Sequence, residues 1–360
     1  MSTQGIVRLG VIGCGSMCRN HLNSVGGASA AIAQEYRPYA ERVEVRGLAD
    51  VDLAKAEAFK EQYGGAYATT DPDRLFADPD LDAVIIATWH DTHAPYSLKA
   101  TAAGKHVLIE KPMAMTEPEC DAIVEAVDRA GTKYMVAFRC RFGKGAQDVK
   151  REIPNPDNVI AHARYTSIWP ETSWAQDPLK GGGQILSQGC HIVDLMFWLA
   201  GSDPESVYAT GGVFHHDSPE VIDTINASLR FKNGSVGAFL GGDGGTGRLM
   251  MHHPLPCGCP FWVLAVDKGR SGLAIDHGHD ARFESCVPAA TWTPPYDAKV
   301  YSQEEGADVS SGVPNILPAF AKSILNDEES PAPAADGART TRFILKCFES
   351  ARTGKVIQFG

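Results

Sequence analysis

The feature that most constrains this chain is an apolar run ending in glycines. Val7-Arg8-Leu9-Gly10-Val11-Ile12 leads directly into Gly13-Cys14-Gly15-Ser16-Met17-Cys18. The run reads as a buried strand, and the glycines read as a sharp turn into a helix. Similar short apolar runs return at 43–48, 83–87, 106–109 and 134–138. Helical periodicity separates them over 52–62, 94–103 and 118–130, the last with Thr116 as N-cap and Gly131 as its stop. Strand and helix in alternation predict a doubly wound parallel sheet with right-handed crossovers over residues 1–140.

The texture changes after Phe142. Strand-like segments at 159–168, 207–214, 222–231 and 235–240 follow with no long helix between them, and Lys232-Asn233-Gly234 is a hairpin turn signal. One helix is expected near 184–199. A glycine-rich loop spans 241–247. Two closing helices, 312–326 and 337–353, flank a surface connection at 327–337 that contains Ser330-Pro331-Ala332-Pro333. The fold class is therefore α/β: the parallel domain, then an α+β domain over 141–360 with a large, mostly antiparallel open sheet.

Composition narrows the function. A chain of 360 residues, 44% hydrophobic and 21% charged, has the makings of about two globular domains. Its net charge of −11 does not suit a nucleic-acid binder, which needs a basic face. Nine cysteines, scattered and odd in number, do not form a secreted disulfide framework. Met1-Ser2-Thr3-Gln4-Gly5 has no secretory pattern, and no apolar stretch reaches 18 residues; Ile192 to Leu199 comes nearest and carries Asp194. The expectation is a soluble, reduced, cytoplasmic protein without membrane partners.

The glycine turn is the first candidate site. Gly13 permits the tight turn, Gly15 lets backbone approach a pyrophosphate, and Ser16 and Met17 open the helix whose N–H groups face it. Cys18 takes the third position, where a small side chain packs helix on strand. The second strand ends Gly47-Leu48-Ala49-Asp50. A carboxylate there accepts from the ribose hydroxyls and repels a 2′-phosphate, so NAD is expected over NADP. Asp52 competes for this role, but fits better as N-cap of the next helix. Residues 24–42 read as an insertion that lengthens the first crossover.

Taken in order, several motifs make the chain resemble the Gfo/Idh/MocA oxidoreductases. They are Gly13-Cys14-Gly15 with His21, Glu110-Lys111-Pro112 after a strand, Gly181-Gly182-Gly183 followed by Gly189, His191 and Asp194, and the closing Ser350-Ala351-Arg352-Thr353-Gly354. The resemblance implies a Rossmann domain, a C-terminal domain whose open sheet packs against another subunit in a homodimer or homotetramer, and a bound NAD. It implies that Glu110 and Lys111 lie at the cofactor, that Lys111 also reaches a substrate hydroxyl, and that the bond before Pro112 is cis. It implies that Thr88 and His93 lie near the cofactor, although Trp89 and His90 replace the usual proline and asparagine. Family members carry an aspartate four residues before the histidine on the second-domain helix. Here the pair is Ser187 and His191, which leaves His191 as the proton acceptor and Ser187 as an auxiliary hydroxyl. Asp194 either steadies that ring or makes a helix-surface or interdomain bond.

Arg139, with Arg141 and Phe142, enters the substrate cleft or forms a domain-linking ion pair; the two readings stand equal. Trp169 and Trp174 precede the glycine triplet, and Trp174 with Asp177 is the candidate face for a sugar ring, against a core role. His215-His216, His252-His253, His277-Gly278-His279 and Cys257-Gly258-Cys259 lack matched zinc-ligand spacing, so no metal is expected and a loop role is assigned. The function expected is hydride transfer between NAD and a secondary alcohol of a sugar, glycoside or cyclitol. Two alternatives are glycoside processing through a transient keto intermediate and a catalytically silent NAD-binding regulator. An apolar face left uncovered on the second sheet is expected to make subunit contact.

Overall fold

Val7, Leu9, Val11 and Ile12 are all buried, as a strand covered on both faces requires. This is β1 (Val7–Ile12) in the computed structural model, which describes residues 5–27, 29–152, 160–166, 172–217, 220–243, 262–267, 270–275, 280–285, 299–301 and 312–360. It joins β2 (Val43–Ala49), β3 (Tyr67–Thr69), β4 (Ala83–Ile86), β5 (His106–Ile109) and β6 (Tyr134–Val136) in a six-stranded sheet ordered β3-β2-β1-β4-β5-β6. All its pairs are parallel. The helices are α1 (Ser16–Leu22), α2 (Arg37–Ala40), α3 (Leu53–Tyr63), α4 (Asp73–Ala77), α5 (His93–Ala102) and α6 (Glu117–Ala130). Thr116 and Glu119 form a reciprocal cap at the start of α6, and Gly131 ends it in the left-handed region at φ 62°. The expected insertion holds a single turn, Val25–Gly27, and the short α2.

The second sheet has nine strands: β7 (Ile160–Thr166), β8 (Pro204–Gly212), β9 (Thr224–Phe231), β10 (Val236–Gly242), β11 (Trp262–Asp267), β12 (Arg270–Ile275), β13 (Asp280–Ser285), β14 (Lys299–Tyr301) and β15 (Ile357–Gln358). Their order is β14-β13-β12-β11-β7-β10-β9-β8-β15. β10 and β7 pair in parallel; the other pairs are antiparallel. Helix α7 (Lys144–Glu152) precedes the sheet. Between β7 and β8 a π-helical turn, Ile185–Gly189, runs into α8 (Cys190–Ala200), where a single α-helix over 184–199 was expected. α8 is buried at nearly every position and packs on β7 and β11. Its Phe197 meets Phe231 and Phe343 edge-on.

Alternation on β8 to β10 is regular. Val207, Ala209, Ile225, Ala227, Leu229, Phe231 and Phe239 all lie on the buried face. The exposed face carries Tyr208, Thr210, Asn226, Ser228 and Arg230. The helical layer therefore covers the larger apolar side, while the open side is polar along β8 and β9 and apolar along β10, at Val236, Ala238 and Leu240.

The last two helices are α9 (Val313–Leu325) and α10 (Ala334–Thr353). The chain divides into one unit of Met1–Ala137 with Val313–Ala338 and another of Phe138–Gly312 with Arg339–Gly360. The first unit thus takes back a late segment that a single boundary after residue 140 does not show. α9 is buried along most of its length against α1, α2, β1 and β5. Asn315 Oδ1 accepts the Ala33 N–H at 2.8 Å, and Ala332 O accepts the Val136 N–H at 2.9 Å.

Candidate active site

In the first unit the carboxyl ends of β1, β2, β4 and β5 deliver Gly13, Asp50, Thr88 and Glu110 to one edge of the sheet. β1 and β4 are neighbours whose connections leave in opposite directions, the crevice where open α/β sheets bind ligands. Gly13 has φ 92°, and a Cβ there would stand 2.5 Å from Ala87 O, so only glycine fits. Gly15 faces open space, with nothing within 4 Å of where its Cβ would be. Gly15 and Ser16 are exposed, Met17 is half-buried, and Cys18 is fully buried as the packing residue. A side chain at position 15 would fill the cradle in front of the turn.

Asp50 ties this cradle together. Its Oδ2 accepts the Cys14 N–H at 2.7 Å and its Oδ1 accepts the Asp52 N–H at 2.9 Å. Asp52 caps α3 by accepting the Ala54 N–H at 3.0 Å, as its position in the sequence suggested. Burial, reinforced by the Asp50 charge, pushes the Cys14 thiol up to about 12, so it stays protonated.

Beyond β5 the Lys111–Pro112 peptide is cis. Glu110 is buried, and His21 Nε2 donates to its Oε1 at 2.7 Å while the Lys111 N–H donates to its Oε2 at 3.2 Å. Burial by itself raises the Glu110 pKa. The His21 hydrogen bond, with the charges of His21 and Lys111, brings it down to about 2. Glu110 therefore acts inside the protein, joining α1 to the strand end that carries Lys111. His93 has a comparable place. It is fully buried, with Nδ1 2.7 Å from Pro112 O and Nε2 3.2 Å from Thr88 O. Burial lowers its pKa, so the ring is neutral; a neutral ring has one N–H, and the shorter contact assigns it to Nδ1. His93 thus ties the start of α5 to the Lys111–Pro112 turn, with its other ring nitrogen next to the Thr88 carbonyl. Thr88 and Thr92 share a 2.6 Å hydroxyl contact, while Trp89 is 48% exposed.

In the second unit the glycine triplet closes a tight turn. Asp177 O accepts the N–H groups of Gly181 and Gly182 at 2.9 Å, and Ala175 O accepts that of Gly183 at 2.8 Å. Gly183 has φ 89°, and its Cβ would clash with Val221 Cγ1. The triplet is thus a packing device that feeds the π turn, whose Ser187 N–H donates to Gly183 O at 2.9 Å. Ser187 and His191 are both buried. The widened turn rotates Ser187 relative to His191, compared with an α-helical pair four residues apart. Asp194 is committed to Arg141: Nε donates to Oδ2 at 2.7 Å and Nη2 to Oδ1 at 2.5 Å, with side chains 3% and 0% exposed. Of the two readings of Asp194, this bidentate pair supplies a bond of the second kind, made inside the second unit rather than at a helix surface. Arg139 is half-buried beside it in the chain.

Trp174 opens a turn capped by Ser173, and Asp177 closes it, its Oδ1 accepting the Leu179 and Lys180 N–H groups at 2.9 and 3.2 Å. The backbone bond from Leu179 is the main reason its pKa is lowered. His216 lies in a loop, one of the two places expected for it, but is buried instead of on the surface. Its Nε2 is 2.5 Å from Asp243 Oδ2, and Gln176 Nε2 donates to the same oxygen. Asp223 holds the segment carrying His216 by accepting the N–H groups of Phe214, His215 and His216. The sequence offered only a histidine pair and a glycine loop as signals for this cluster. Trp169, His252, His253, Cys257, Cys259, His277 and His279 lie outside the described residues. Among the described residues no cluster of histidine, cysteine or carboxylate could hold a metal, and six cysteines are buried and outside any disulfide.

The N-terminal Gfo/Idh/MocA profile, described as an oxidoreductase family with an NAD-binding Rossmann fold, matches residues 7–138, and the family's C-terminal domain matches residues 157–247. The chain belongs to the Gfo/Idh/MocA oxidoreductase family. Its cofactor is NAD, and the Gly13–Gly15 cradle with Asp50 at its side fits a dinucleotide. The chain is 29% identical over 239 residues to myo-inositol 2-dehydrogenase of Thermotoga maritima, covering 64% of this chain and 67% of that protein. It is 30% identical over 213 residues to inositol 2-dehydrogenase of Acidothermus cellulolyticus, covering 59% of each. These matches span about three-fifths to two-thirds of the relatives' length. In fold the chain is similar to levoglucosan dehydrogenase in complex with NADH, with a TM-score of 0.83, 20% identity, and 98% and 99% of the two chains covered. No helix among the described residues is long and apolar enough to cross a membrane.

Proposed function

We propose that this protein is a dehydrogenase acting on a secondary alcohol of a sugar, glycoside or cyclitol. The feature that supports the reading is Lys111, which follows β5 at the carboxyl edge of the parallel sheet, next to the Glu110–His21 pair and the His93–Pro112 contact. Inositol dehydrogenases among its relatives support the substrate class. Bound NAD supplies the hydride acceptor for the alcohol carbon. Lys111 donates a hydrogen bond to the alcohol oxygen and stabilises the charge that develops there. His191 takes the hydroxyl proton, and Ser187 orients the hydroxyl. Gly13, Gly15, Ser16 and Met17 hold the pyrophosphate, Thr88 borders the nicotinamide end, and Asp50 accepts from the ribose and disfavours a 2′-phosphate. Arg139, Trp174 and Asp177 complete the substrate contacts.

The finer assignments belong to the same reading. A homodimer or homotetramer forms through the exposed face of β8 to β10, and six buried thiols outside any disulfide suit a reducing cytoplasm. Light scattering tests the assembly: a single species of one chain's mass removes it. The reaction is tested by incubating the protein with monosaccharides, glycosides and inositols, with NAD and with NADP, at the absorbance of the reduced nicotinamide. Reduction of NAD by at least one polyol is expected. No reduction with any of them overturns the assignment.

A further inference from the structure

Within the second unit a cavity of about 540 Å³ is lined by Ser173, Trp174, Gln176, Lys180, His216 and Val221, among others. That volume lies in the range of small-molecule sites, about 300–1,000 Å³. We propose that this cavity is a subsite for a second, non-reacting saccharide ring, so that the substrate is a glycoside or disaccharide rather than a free monosaccharide or cyclitol; this deepens the dehydrogenase reading above and rests on it.

Three features carry the assignment. The first is the polar wall. Asp243 is fully buried behind the cavity, and its Oδ2 draws in both His216 Nε2 and Gln176 Nε2. A nitrogen 2.5 Å from a carboxylate oxygen must carry the proton, so His216 Nε2 donates. The same carboxylate fixes the Gln176 amide with its NH₂ inward and its Oε1 as the remaining acceptor. His216 is itself positioned by the three backbone N–H groups that Asp223 accepts. Such a wall is rigid before any ligand arrives.

The second feature is the mixture of groups. One indole face, an amide, an imidazole and the hydroxyls of Thr172 and Ser173 surround the space. The charges at its edge, Asp177 and Lys180, pair with each other at 3.6 Å. A neutral ring with C–H faces and several hydroxyls matches this lining, whereas a phosphate or carboxylate would meet, among the described residues, only a cation already paired with Asp177.

The third is placement. Ser187 and His191 do not line the cavity. Its wall at residues 173–180 is bonded through Ala175 O to Gly183, whose own carbonyl receives the Ser187 N–H. The cavity therefore adjoins the turn that carries the proposed proton acceptor without containing it. The His216 Nε2–H is tied to Asp243, which fixes the ring that faces the cavity.

The experiment uses the full chain, Trp174→Ala and His216→Gln. Binding of maltose, cellobiose and phenyl β-D-glucopyranoside is measured by calorimetry without cofactor, beside glucose and myo-inositol. Turnover of the same compounds with NAD gives the ratio of kcat/KM for two-ring over one-ring substrates. The full chain should bind at least one two-ring compound, and each variant should lower that ratio by about tenfold or more, mainly through KM. Trp174→Ala removes a half-exposed side chain, so it remains informative if His216→Gln does not fold. Absence of two-ring binding, or a ratio unchanged in Trp174→Ala, overturns the proposal. Two-ring binding that is lost in Trp174→Ala, with no NAD reduction by any compound, keeps the subsite and overturns the dehydrogenase reading instead.

Discussion

His21 Nε2 and Glu110 Oε1 meet at 2.7 Å inside the first unit, joining the helix after the glycine turn to the strand end that bears Lys111. The contact holds Glu110 at about 2 against an ordinary 4.5. The sign follows from that depression. On acidification the unfolded chain takes the proton first, so this contribution to stability is complete above about pH 4.5 and is lost as pH falls toward 2. The drop corresponds to about 3 kcal/mol. Glu110→Gln should flatten this part of the stability–pH curve in urea unfolding and cost about 3–5 kcal/mol at pH 7. An unchanged slope between pH 5 and 3 would assign the acid sensitivity to other carboxylates.

Lys111→Ala should lower kcat by about 100-fold or more while NADH still binds, because the ammonium acts where charge develops in the transition state. Steady-state kinetics and NADH fluorescence titration separate the two effects. Near-parental kcat would remove Lys111 from the chemistry.

Asp50→Ala should narrow the preference for NAD over NADP, since the carboxylate that opposes a 2′-phosphate is gone. It should also destabilise the turn by about 1–3 kcal/mol through the loss of acceptors for the Cys14 and Asp52 N–H groups. Calorimetric titration with both cofactors reads the first effect and thermal unfolding reads the second. Equal discrimination in parent and variant would place the ribose contact elsewhere.

His191→Ala should lower the rate by about 10²–10⁴ and flatten the acid limb of kcat/KM against pH. Ser187→Ala should cost about 0.5–1.5 kcal/mol, the worth of one hydrogen bond. An acid limb that survives in His191→Ala identifies a different base.

Arg141 and Asp194 form a bidentate pair buried on both sides. Asp194→Ala removes the bidentate carboxylate from a buried guanidinium and should cost about 3–5 kcal/mol. Arg141→Met combined with Asp194→Leu should recover much of that loss, because both charges go together. Denaturant unfolding of the single and double variants measures the coupling. Additive losses would mean the two groups do not act as a pair.

What could be read from the sequence was local. β1 and β5 have the limits their apolar runs suggested, Thr116 and Gly131 bound α6, and Asp52 caps α3. Each depends on neighbours a few residues away. The His216–Asp243 contact spans 27 residues and the Gln176–Asp243 contact 67, and no periodicity encodes such pairings. The π turn was hidden for another reason: Ile185 to Gly189 has the composition of an ordinary helix start, with no residue pattern that marks the widened turn. β3 is three residues long, too short to show a period.

The return of Val313–Ala338 to the first unit has a temporal consequence for the cell. The roughly 175 residues between Ala137 and Val313 emerge at about 5–20 per second, so about 10–35 seconds separate the end of β6 from the arrival of α9. During that interval the surfaces of β1 and β5 that α9 covers stand open, and the NAD domain of a chain still on the ribosome lacks one of its walls. By the time Val313 emerges, every described strand of the second sheet except β15 has been made. Nascent chains should therefore draw chaperones to the older half of the molecule, and a fragment stopped at Ala137 should need the 313–338 segment, supplied as a separate peptide, to stay in solution.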